Sequence, residues 1–225
     1  MAPNPKQLAA EYATNYVENH MVVGLGTGTT AYFAIIKLAE LVADGLAVRC
    51  IPTSDSSAKL ARERGIPLTS FAEVDHVDLT IDGADQVERG TFHLIKGWGG
   101  ALLREKIVAS ATDRMVVIVD ETKLVDRLGG GGPLPVEIVS FGWQTVVDRL
   151  AALGCAPRLR LAGEEPFTTD GGNYIADCVI MEMTDPAALE AQLATIVGVI
   201  ECGLFVGLAS EVIVGRPGGV EVMEK

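Results

Sequence analysis

The sequence has few of the features that mark nucleic-acid-binding and membrane-surface proteins. Its 225 residues carry 18 Lys and Arg against 30 Asp and Glu, which gives a formal net charge of −12. Affinity for nucleic acid or for an anionic membrane requires clustered basic residues, so we expect no partner of either kind. Any anionic ligand must therefore be bound by a local site.

Long apolar runs are also missing. No uninterrupted apolar stretch reaches the roughly 18 residues of a membrane span. The start of the chain, residues 1–6, lacks the basic and then apolar layout of a signal peptide. We therefore expect a cytoplasmic protein.

Cysteine and histidine are too few and too scattered to indicate a metal site. The cysteines show neither a CxxC pair nor another metal-ligand spacing, and the histidines show no i, i+4 pairing. We interpret the cysteines as buried thiols, because free cysteine behaves as a small apolar residue. Chemistry without a bound metal is favoured. The residues concerned are Cys50, Cys155, Cys178 and Cys202, and His20, His76 and His93.

Apolar residues make up 48% of the chain, and their periodicity changes along it. Up to Val119, helical patterns alternate with short apolar strands. This order is typical of an α/β fold with a Rossmann-like, doubly wound, mostly parallel sheet that binds ligands at the carboxyl ends of its strands. The predicted strands are Met21–Leu25, Ala47–Ile51, Val77–Ile81, His93–Ile95 and Met115–Val119, and the predicted helices cover 6–19, Thr29–Leu38, Ser56–Arg64 and 100–111.

A run of four glycines and two prolines at Gly129–Pro135 marks a boundary. The β-α-β-β-α pattern after it predicts a smaller α+β domain of the split βαβ, ferredoxin-like type. We therefore expect a catalytic α/β domain at 1–131 plus 205–225 and a smaller domain at 132–204. The elements behind this prediction are Val136–Val139, Gly142–Leu153, Arg158–Leu161, Tyr174–Met181 and Pro186–Ile196, with strands at Val212–Val214 and Val220–Met223 returning to the first sheet.

A segment rich in glycine and threonine, Gly24–Thr30, joins a predicted strand to a predicted helix. Glycine lets the backbone approach an anion, hydroxyls donate to phosphate oxygens, and the free amides of a helix start favour negative charge. The segment has neither the dinucleotide pattern GxGxxG nor a Walker GK[ST] ending. We predict a phosphate-binding loop, with a plain helix-capping turn as the alternative.

Charged residues follow apolar segments at further places. Asp82 and Asp85 follow a strand, where they could contact neighbouring sugar hydroxyls or raise each other's pKa for proton transfer. A capping turn is the alternative. Lys96 and Lys123 each end an apolar segment and could bind phosphate or stabilise an oxyanion. Taken singly, each could equally be a surface lysine.

Glu105 lies on a predicted helix face that it shares with the apolar Leu102 and Val108. A carboxylate in such surroundings is partly desolvated, which raises its pKa and makes it a better general base. The alternative is a glutamate that only stabilises the helix dipole. We expect the flanking Arg104 and Lys106 to point elsewhere, toward solvent or acidic residues.

Six segments in this order resemble the ribose-5-phosphate isomerase A family, and the resemblance covers nearly the whole chain. They are Gly24–Ala31, Asp82–Asp85, Ile95–Gly97 with Leu103–Ile107, Asp120–Lys123, Pro133–Glu137 and Thr169–Asn173. The resemblance implies interconversion of D-ribose 5-phosphate and D-ribulose 5-phosphate through an enediolate, with no metal or organic cofactor. It also implies a homodimer or homotetramer.

The resemblance further implies a set of site residues. Glu105 would remove the proton from C2 and return it to C1. Within the set we assign Lys96 to the developing oxyanion, and Asp82 and Asp85 to sugar hydroxyls during ring opening. The other substrate-contacting residues would be Thr27, Gly28, Thr29, Thr30, Gly83, Ala84, Gly97, Trp98, Gly99 and Lys123.

Two features depart from the family pattern. Small residues are expected after Lys96, so the indole of Trp98 must point away from the sugar, into a core or subunit contact, or else narrow the pocket. The glycine run 129–132 also replaces a shorter, bulkier linker, which predicts a looser junction between the domains.

Two other functions are compatible with the same scaffold. A sugar-phosphate sensor domain would need a DNA-reading partner, and the chain has no basic helix-turn-helix segment. A sugar-phosphate deaminase or a CoA-transferase would need a different set of groups around Glu105.

Overall fold

The computed structural model describes residues 4–180 and 183–225. Helices α1 to α6 span Pro5–Thr14, Thr29–Ala43, Asp55–Glu63, Leu102–Ser110, Trp143–Ala152 and Pro186–Ala194, and a single 3-10 turn spans Glu121–Lys123. Strands β1 to β16 span Val22–Leu25, Arg49–Pro52, Val77–Asp82, Gln86–Glu88, Leu94–Ile95, Thr112–Asp120, Leu124–Val125, Leu134–Ile138, Ala156–Leu159, Leu161–Ala162, Glu165–Pro166, Tyr174–Val179, Val199–Cys202, Leu204–Phe205, Glu211–Arg216 and Gly219–Glu224. Within these ranges, no helix has the length and apolarity needed to cross a membrane.

Six strands form the large sheet, in the order β16-β15-β6-β3-β1-β2. All neighbours are parallel except the terminal hairpin β15-β16. Side chains of β6 alternate between the two faces. Val116 and Ile118 pack with α1 and α2, whereas Val117 and Val119 pack in a second cluster with Ala109 of α4. Both faces are therefore covered, which confirms the doubly wound, mostly parallel sheet and the return of the last strands to it.

The first helix is shorter than predicted. Asn4 accepts a hydrogen bond from the Lys6 amide, and Pro5 occupies the first turn, so α1 begins with a capping residue followed by proline. It ends at Thr14, whereas the apolar spacing predicted a helix to residue 19. Tyr16 and Val17 still pack against the core from a turn. These two apolar residues continue the helical spacing in the sequence, so the predicted helix was longer than the observed one.

A second sheet, antiparallel, has the order β13-β8-β12-β9 and packs with α5 and α6 around one core cluster. We call residues 134–202 the α+β unit. Its order of elements is β-α-β-β-α-β when the short hairpin β10-β11 is set aside, which confirms the ferredoxin-like prediction. The last strand, β13, was not predicted. The strand predicted over Tyr174–Met181 ends at Val179, and Met181 lies outside the described residues.

A third sheet, β14-β5-β4-β7, was largely missed, because strands of two or three residues are too short to show an alternating pattern. Only the segment around β5 was predicted. This sheet fixes the chain directly before Lys96, whose amide donates to the Gly203 carbonyl at 2.8 Å. The sheet thereby fixes the backbone position from which the buried Lys96 side chain extends.

The parallel pairing brings distant segments to one edge. Leu25 of β1 is the register partner of Ile81 in β3, and Asp82 is the partner of Val117 in β6. Because these strands run in the same direction, their carboxyl ends meet. The loops after β1, β3 and β6 therefore lie side by side, as predicted for a ligand site.

Candidate active site

A cleft of about 100 Å³ lies at this edge of the large sheet. It brings together most of the residues predicted from sequence, together with one that was not predicted, Lys6. Two predicted residues, Asp82 and Trp98, do not line it. The predicted residues that do are Thr27, Gly28, Thr29, Thr30, Gly83, Ala84, Asp85, Lys96, Gly97, Gly99, Glu105 and Lys123.

One end of the cleft holds a buried cluster of charges, which we call the base end. The Lys96 ammonium donates to the Gly83 carbonyl at 2.5 Å and lies 3.0 Å from Asp82 Oδ2 and 3.4 Å from Glu105 Oε1. Lys96, Asp82 and Glu105 are 2%, 0% and 5% exposed. A buried charge is tolerated only when it is paired, and here one ammonium serves two carboxylates.

Burial is the largest influence on Glu105 and raises its pKa above the ordinary range of a glutamate. Lys96 opposes this shift, while the charges of Asp82 and Asp85 reinforce it. Glu105 Oε2 is buried and makes no hydrogen bond to any described residue. The group is therefore a desolvated carboxylate with one oxygen free to accept a proton.

Lys96 keeps its charge in the same surroundings. Burial alone would lower the pKa of its ammonium, but the carboxylates of Asp82 and Glu105 outweigh burial and raise it. A permanently charged ammonium at 3.4 Å from the base can stabilise negative charge that develops on a bound substrate.

The sequence predicted only half of the environment of Glu105. Leu102 and Val108 are buried on its helix face, as expected. The other side of Glu105 faces the charges of Asp82, at the end of β3, and of Lys96, directly after β5. The expectation for its neighbours in sequence is confirmed. Arg104 pairs with acidic groups of α3 and the 169–173 loop, and Lys106 pairs with two glutamates of the α+β unit.

Asp85 faces the cleft beside the base end. Its Oδ2 accepts a hydrogen bond from the Trp98 amide at 2.9 Å. Burial raises the pKa of Asp85, opposed by that amide and by the charges of Lys96 and Lys123. Asp85 can therefore contact a substrate hydroxyl, which agrees with its predicted place.

Asp82 lies behind Lys96 instead of in the cleft. Its Oδ1 accepts from the amides of Thr27 at 3.1 Å and Gly83 at 2.7 Å, and the side chain has no exposed surface. A Cβ at Gly26 would collide with this carboxylate, so glycine is required there. The expected contact between Asp82 and a sugar hydroxyl does not fit this placement. Asp82 ties the loop after β1 to Lys96.

The opposite end of the cleft, which we call the phosphate end, is built from the start of α2. Gly28 caps the helix with φ +109° and ψ −176°, and no side chain in the described part of the chain caps the first amides. Thr29 and Thr30 form the first turn, with Lys6 Nζ at 2.9 Å from Thr29 Oγ1 and Lys123 in the cleft wall. Free amides at a helix start with two lysines nearby suit a phosphate group.

The hydroxyl of Thr27 is committed to the protein. Its Oγ1 lies 2.8 Å from the hydroxyls of Thr53 and Ser54 and 3.1 Å from that of Ser57. This hydroxyl is therefore not free to donate to a phosphate group, contrary to the expectation for the loop. Ser54 and Ser57 serve the same network, and Ser54 also caps α3.

Lys6 was missed because its local pattern shows only the first turn of an amphipathic helix. It reaches the cleft because Pro5 packs directly on the large sheet, where a Cβ at Gly215 would collide with the Pro5 carbonyl. No motif precedes Lys6. Its role depends on how α1 crosses the sheet, and local spacing does not encode that.

The indole of Trp98 points away from the cleft, one of the outcomes expected for it. Its Nε1 donates to the Pro133 carbonyl at 2.9 Å, and Lys123 Nζ lies 5.0 Å from the ring centroid. A Cβ at Gly132 would fall inside the indole. The glycine run thus makes room for Trp98. Both backbone polar groups of Gly129 bond to the Gln86 side chain, which ties the start of the run to β4. The expected looseness of the junction stays a prediction.

Comparison with known proteins identifies the family. The family model for ribose 5-phosphate isomerase A (phosphoriboisomerase A) matches residues 49–219. The chain is 56% identical to a ribose-5-phosphate isomerase A of Gloeobacter violaceus, over 97% of this chain and 95% of that one. It is 52% identical to one of Gluconobacter oxydans, over 97% and 96%.

Solved structures give the same result for the fold. The ribose 5-phosphate isomerase A of Methanocaldococcus jannaschii superposes with a TM-score of 0.94 at 38% identity, over 98% of both chains. A D-ribose-5-phosphate isomerase in complex with phospho-erythronic acid gives the same TM-score, identity and coverage. The chain therefore belongs to the ribose 5-phosphate isomerase A family.

Proposed function

We propose that this chain interconverts D-ribose 5-phosphate and D-ribulose 5-phosphate through an enediolate, with Glu105 as the base. The observation that carries the proposal is the free, buried Oε2 of Glu105 at the cleft, beside the Lys96 ammonium. A solved relative binds phospho-erythronic acid, a sugar-acid phosphate whose planar carboxylate resembles an enediolate. An aldose-ketose isomerase must stabilise that kind of charge.

A single group, Glu105, carries the proton between the two carbons of the substrate. Glu105 removes the proton from C2 of the open-chain aldose, and the electron pair moves onto the C1 oxygen to give the enediolate. Lys96 stabilises the oxyanion that forms. The proton of the C2 hydroxyl passes to the C1 oxygen, and Glu105 then returns its own proton to C1 while the carbonyl forms at C2. No electron leaves the substrate, so the residues of this cleft can carry out the step without an oxidant.

Asp85 and Asp82 have different roles in this scheme. Asp85 faces the cleft with a raised pKa, so it can exchange a proton with a sugar hydroxyl during ring opening. Asp82 acts through Lys96, which it holds at 3.0 Å. The phosphate group lies at the start of α2, between Lys6 and Lys123, where the amides and ammonium groups converge.

The test is an isomerase assay with ribose 5-phosphate in the presence of a chelator, on wild type and Glu105→Gln. Loss of a general base costs on the order of 10²-fold to 10⁴-fold in rate, so the variant should lose at least 10²-fold in kcat. Glu63→Gln, at an exposed pair with Lys59, is the matched control. An inactive wild type, or a Glu105→Gln variant that keeps most of its rate, overturns the proposal.

The remaining proposals concern the setting of the enzyme. We assign a catalytic domain to 1–131 plus 205–225 and a smaller domain to 132–204, and we place the enzyme in the cytoplasm as a homodimer or homotetramer. The family resemblance supports the oligomer, and light scattering coupled to gel filtration measures it. The relatives named above carry the isomerase name, which favours this activity over a sensor, a deaminase or a CoA-transferase.

A further inference from the structure

Arg160, in the α+β unit, reaches the loop that separates Lys96 from Glu105. One edge of its guanidinium pairs with Asp177, with Nε 2.8 Å from Oδ2 and Nη2 2.5 Å from Oδ1. This two-point pairing fixes the plane of the guanidinium. The group is also largely buried, with 15% of its side chain exposed.

The remaining nitrogen of Arg160 holds two successive peptide units of the loop. Nη1 donates to the carbonyl of Gly97 at 3.0 Å and to that of Trp98 at 3.1 Å. Phe167 reinforces the contact. Its ring packs so closely on Gly100 that a Cβ there would collide with it, and the Arg160 Cζ lies 5.8 Å from the ring centroid. The loop is therefore clamped from the α+β unit.

The first of these peptides links Arg160 to Asp85. In a trans peptide the C=O and the N–H point in opposite directions, and the described residues contain no cis peptide. The Gly97 carbonyl accepts from Arg160, and the Trp98 N–H of the same peptide donates to Asp85 Oδ2. Because this peptide is rigid, the Arg160 side chain fixes the direction of the N–H that bonds to Asp85 in the cleft.

The second peptide presents a donor to the cleft. The Trp98 carbonyl accepts from Arg160, so the Gly99 N–H must point away from the guanidinium. Gly99 lines the cleft, and its N–H makes no hydrogen bond to any described residue. It is available to a substrate oxygen.

We propose that Arg160, held by Asp177, is a positioning residue for the isomerisation: it fixes the two peptides that orient Asp85 and the Gly99 N–H. Arg160 touches no reacting atom. The inference rests on the proposed function, because its effect is read out as turnover of ribose 5-phosphate.

The experiment compares kcat, KM and Tm of wild type, Arg160→Ala and Arg160→Lys, with Arg158→Ala as the matched control. Arg158 is exposed on the adjoining strand β9 and makes no side-chain hydrogen bond or ion pair to the described residues. Because displacement of a catalytic group by about 1 Å can cost about 10²-fold in rate, Arg160→Ala should lose about 10-fold to 100-fold in kcat, with a smaller change in KM. Added guanidinium should restore part of that loss. Arg158→Ala should match wild type.

Arg160→Lys keeps the charge and a bond to Asp177, but an ammonium cannot hold both carbonyls in one plane. It should fold like wild type and lose kcat by about 10-fold, as a partial loss of positioning. Unchanged kcat in both Arg160 variants overturns the inference, as does a loss without guanidinium rescue that merely follows a lowered Tm. An inactive wild type would contradict the proposed function instead, which keeps the two failures separate.

Discussion

The two ends of the cleft differ in how far their charged groups are buried. At the base end, Lys96 and two carboxylates are almost fully buried and bond to one another. At the phosphate end, Lys6 keeps 32% of its side chain exposed and sits beside the uncapped start of α2. The charged groups of the base end are thus shielded from solvent, and those of the phosphate end are partly exposed to it.

This difference follows from what each end must do. A general base gains from desolvation, because burial raises its pKa toward the working pH. A phosphate keeps its charge throughout the reaction, so exposed cations and helix amides can bind it without a costly buried charge. Substitutions at the base end should therefore change kcat and stability, and those at the phosphate end should change KM.

Lys96→Met gives the largest expected effect among these tests of the comparison. It removes the only ammonium within the described residues that pairs with Asp82 and Glu105. Loss of oxyanion stabilisation should lower kcat by about 10²-fold to 10³-fold, and the unpaired carboxylates should destabilise the fold by about 3–5 kcal/mol. Steady-state kinetics and denaturant unfolding measure the two effects. A variant as stable as wild type would show that Asp82 and Glu105 are not desolvated in the folded protein.

The pH dependence is the second test. The raised pKa of Glu105 means that it becomes protonated at a higher pH than an ordinary glutamate, whose pKa is about 4.3. Only the ionised form is a base, so kcat/KM should fall about tenfold per pH unit below the raised pKa and stay level above it. A profile that stays flat down to about pH 5 would contradict a desolvated base. Glu63→Gln should give the wild-type profile.

Lys6→Ala tests the phosphate end. Removal of a partly exposed cation should raise KM for ribose 5-phosphate by about 10-fold with kcat nearly unchanged. The difference from wild type should shrink as salt increases, because exposed charges are screened. Lys59→Ala, at an exposed lysine that does not line the cleft, is the control. A loss confined to kcat would place Lys6 with the chemistry instead.

Trp98→Gly should give the smallest effect. The indole donates to the Pro133 carbonyl and lies beneath Lys123, but it does not line the cleft. Removing a cation–π contact of about 0.5–1 kcal/mol should raise KM about 2-fold to 5-fold and leave kcat nearly unchanged. Kinetics at saturating and limiting substrate separate the two constants. A drop in kcat above 10-fold would give the indole a role in the chemistry.

The sequence predicted most of the phosphate end and only part of the base end. Gly28 and its threonines lie in one continuous segment, so their loop could be recognised from local spacing. The apolar flank of Glu105 could also be read from helical periodicity. Its charged side could not, because Asp82 ends β3 and Lys96 follows β5, and both meet Glu105 only through the pairing of the strands.

The difference between local patterns and long-range contacts also explains what was missed in the fold and in the site. The alternating strands and helices of the large sheet leave strong patterns, and that sheet was predicted correctly. The third sheet is made of strands too short to leave one. Lys6 and Arg160 act across long sequence separations, 23 residues to Thr29 and 63 to Gly97, and no local motif marks either.

The most direct test of the central claim follows the C2 proton itself. Wild type and Glu105→Gln are incubated with ribose 5-phosphate in D₂O, and loss of the C2 proton signal is followed by NMR, with circular dichroism to show that the variant is folded. If Glu105 is the base, wild type should exchange or transfer this proton during turnover, and the folded variant should do so at least about 10²-fold more slowly. Exchange by folded Glu105→Gln at the wild-type rate would contradict the account.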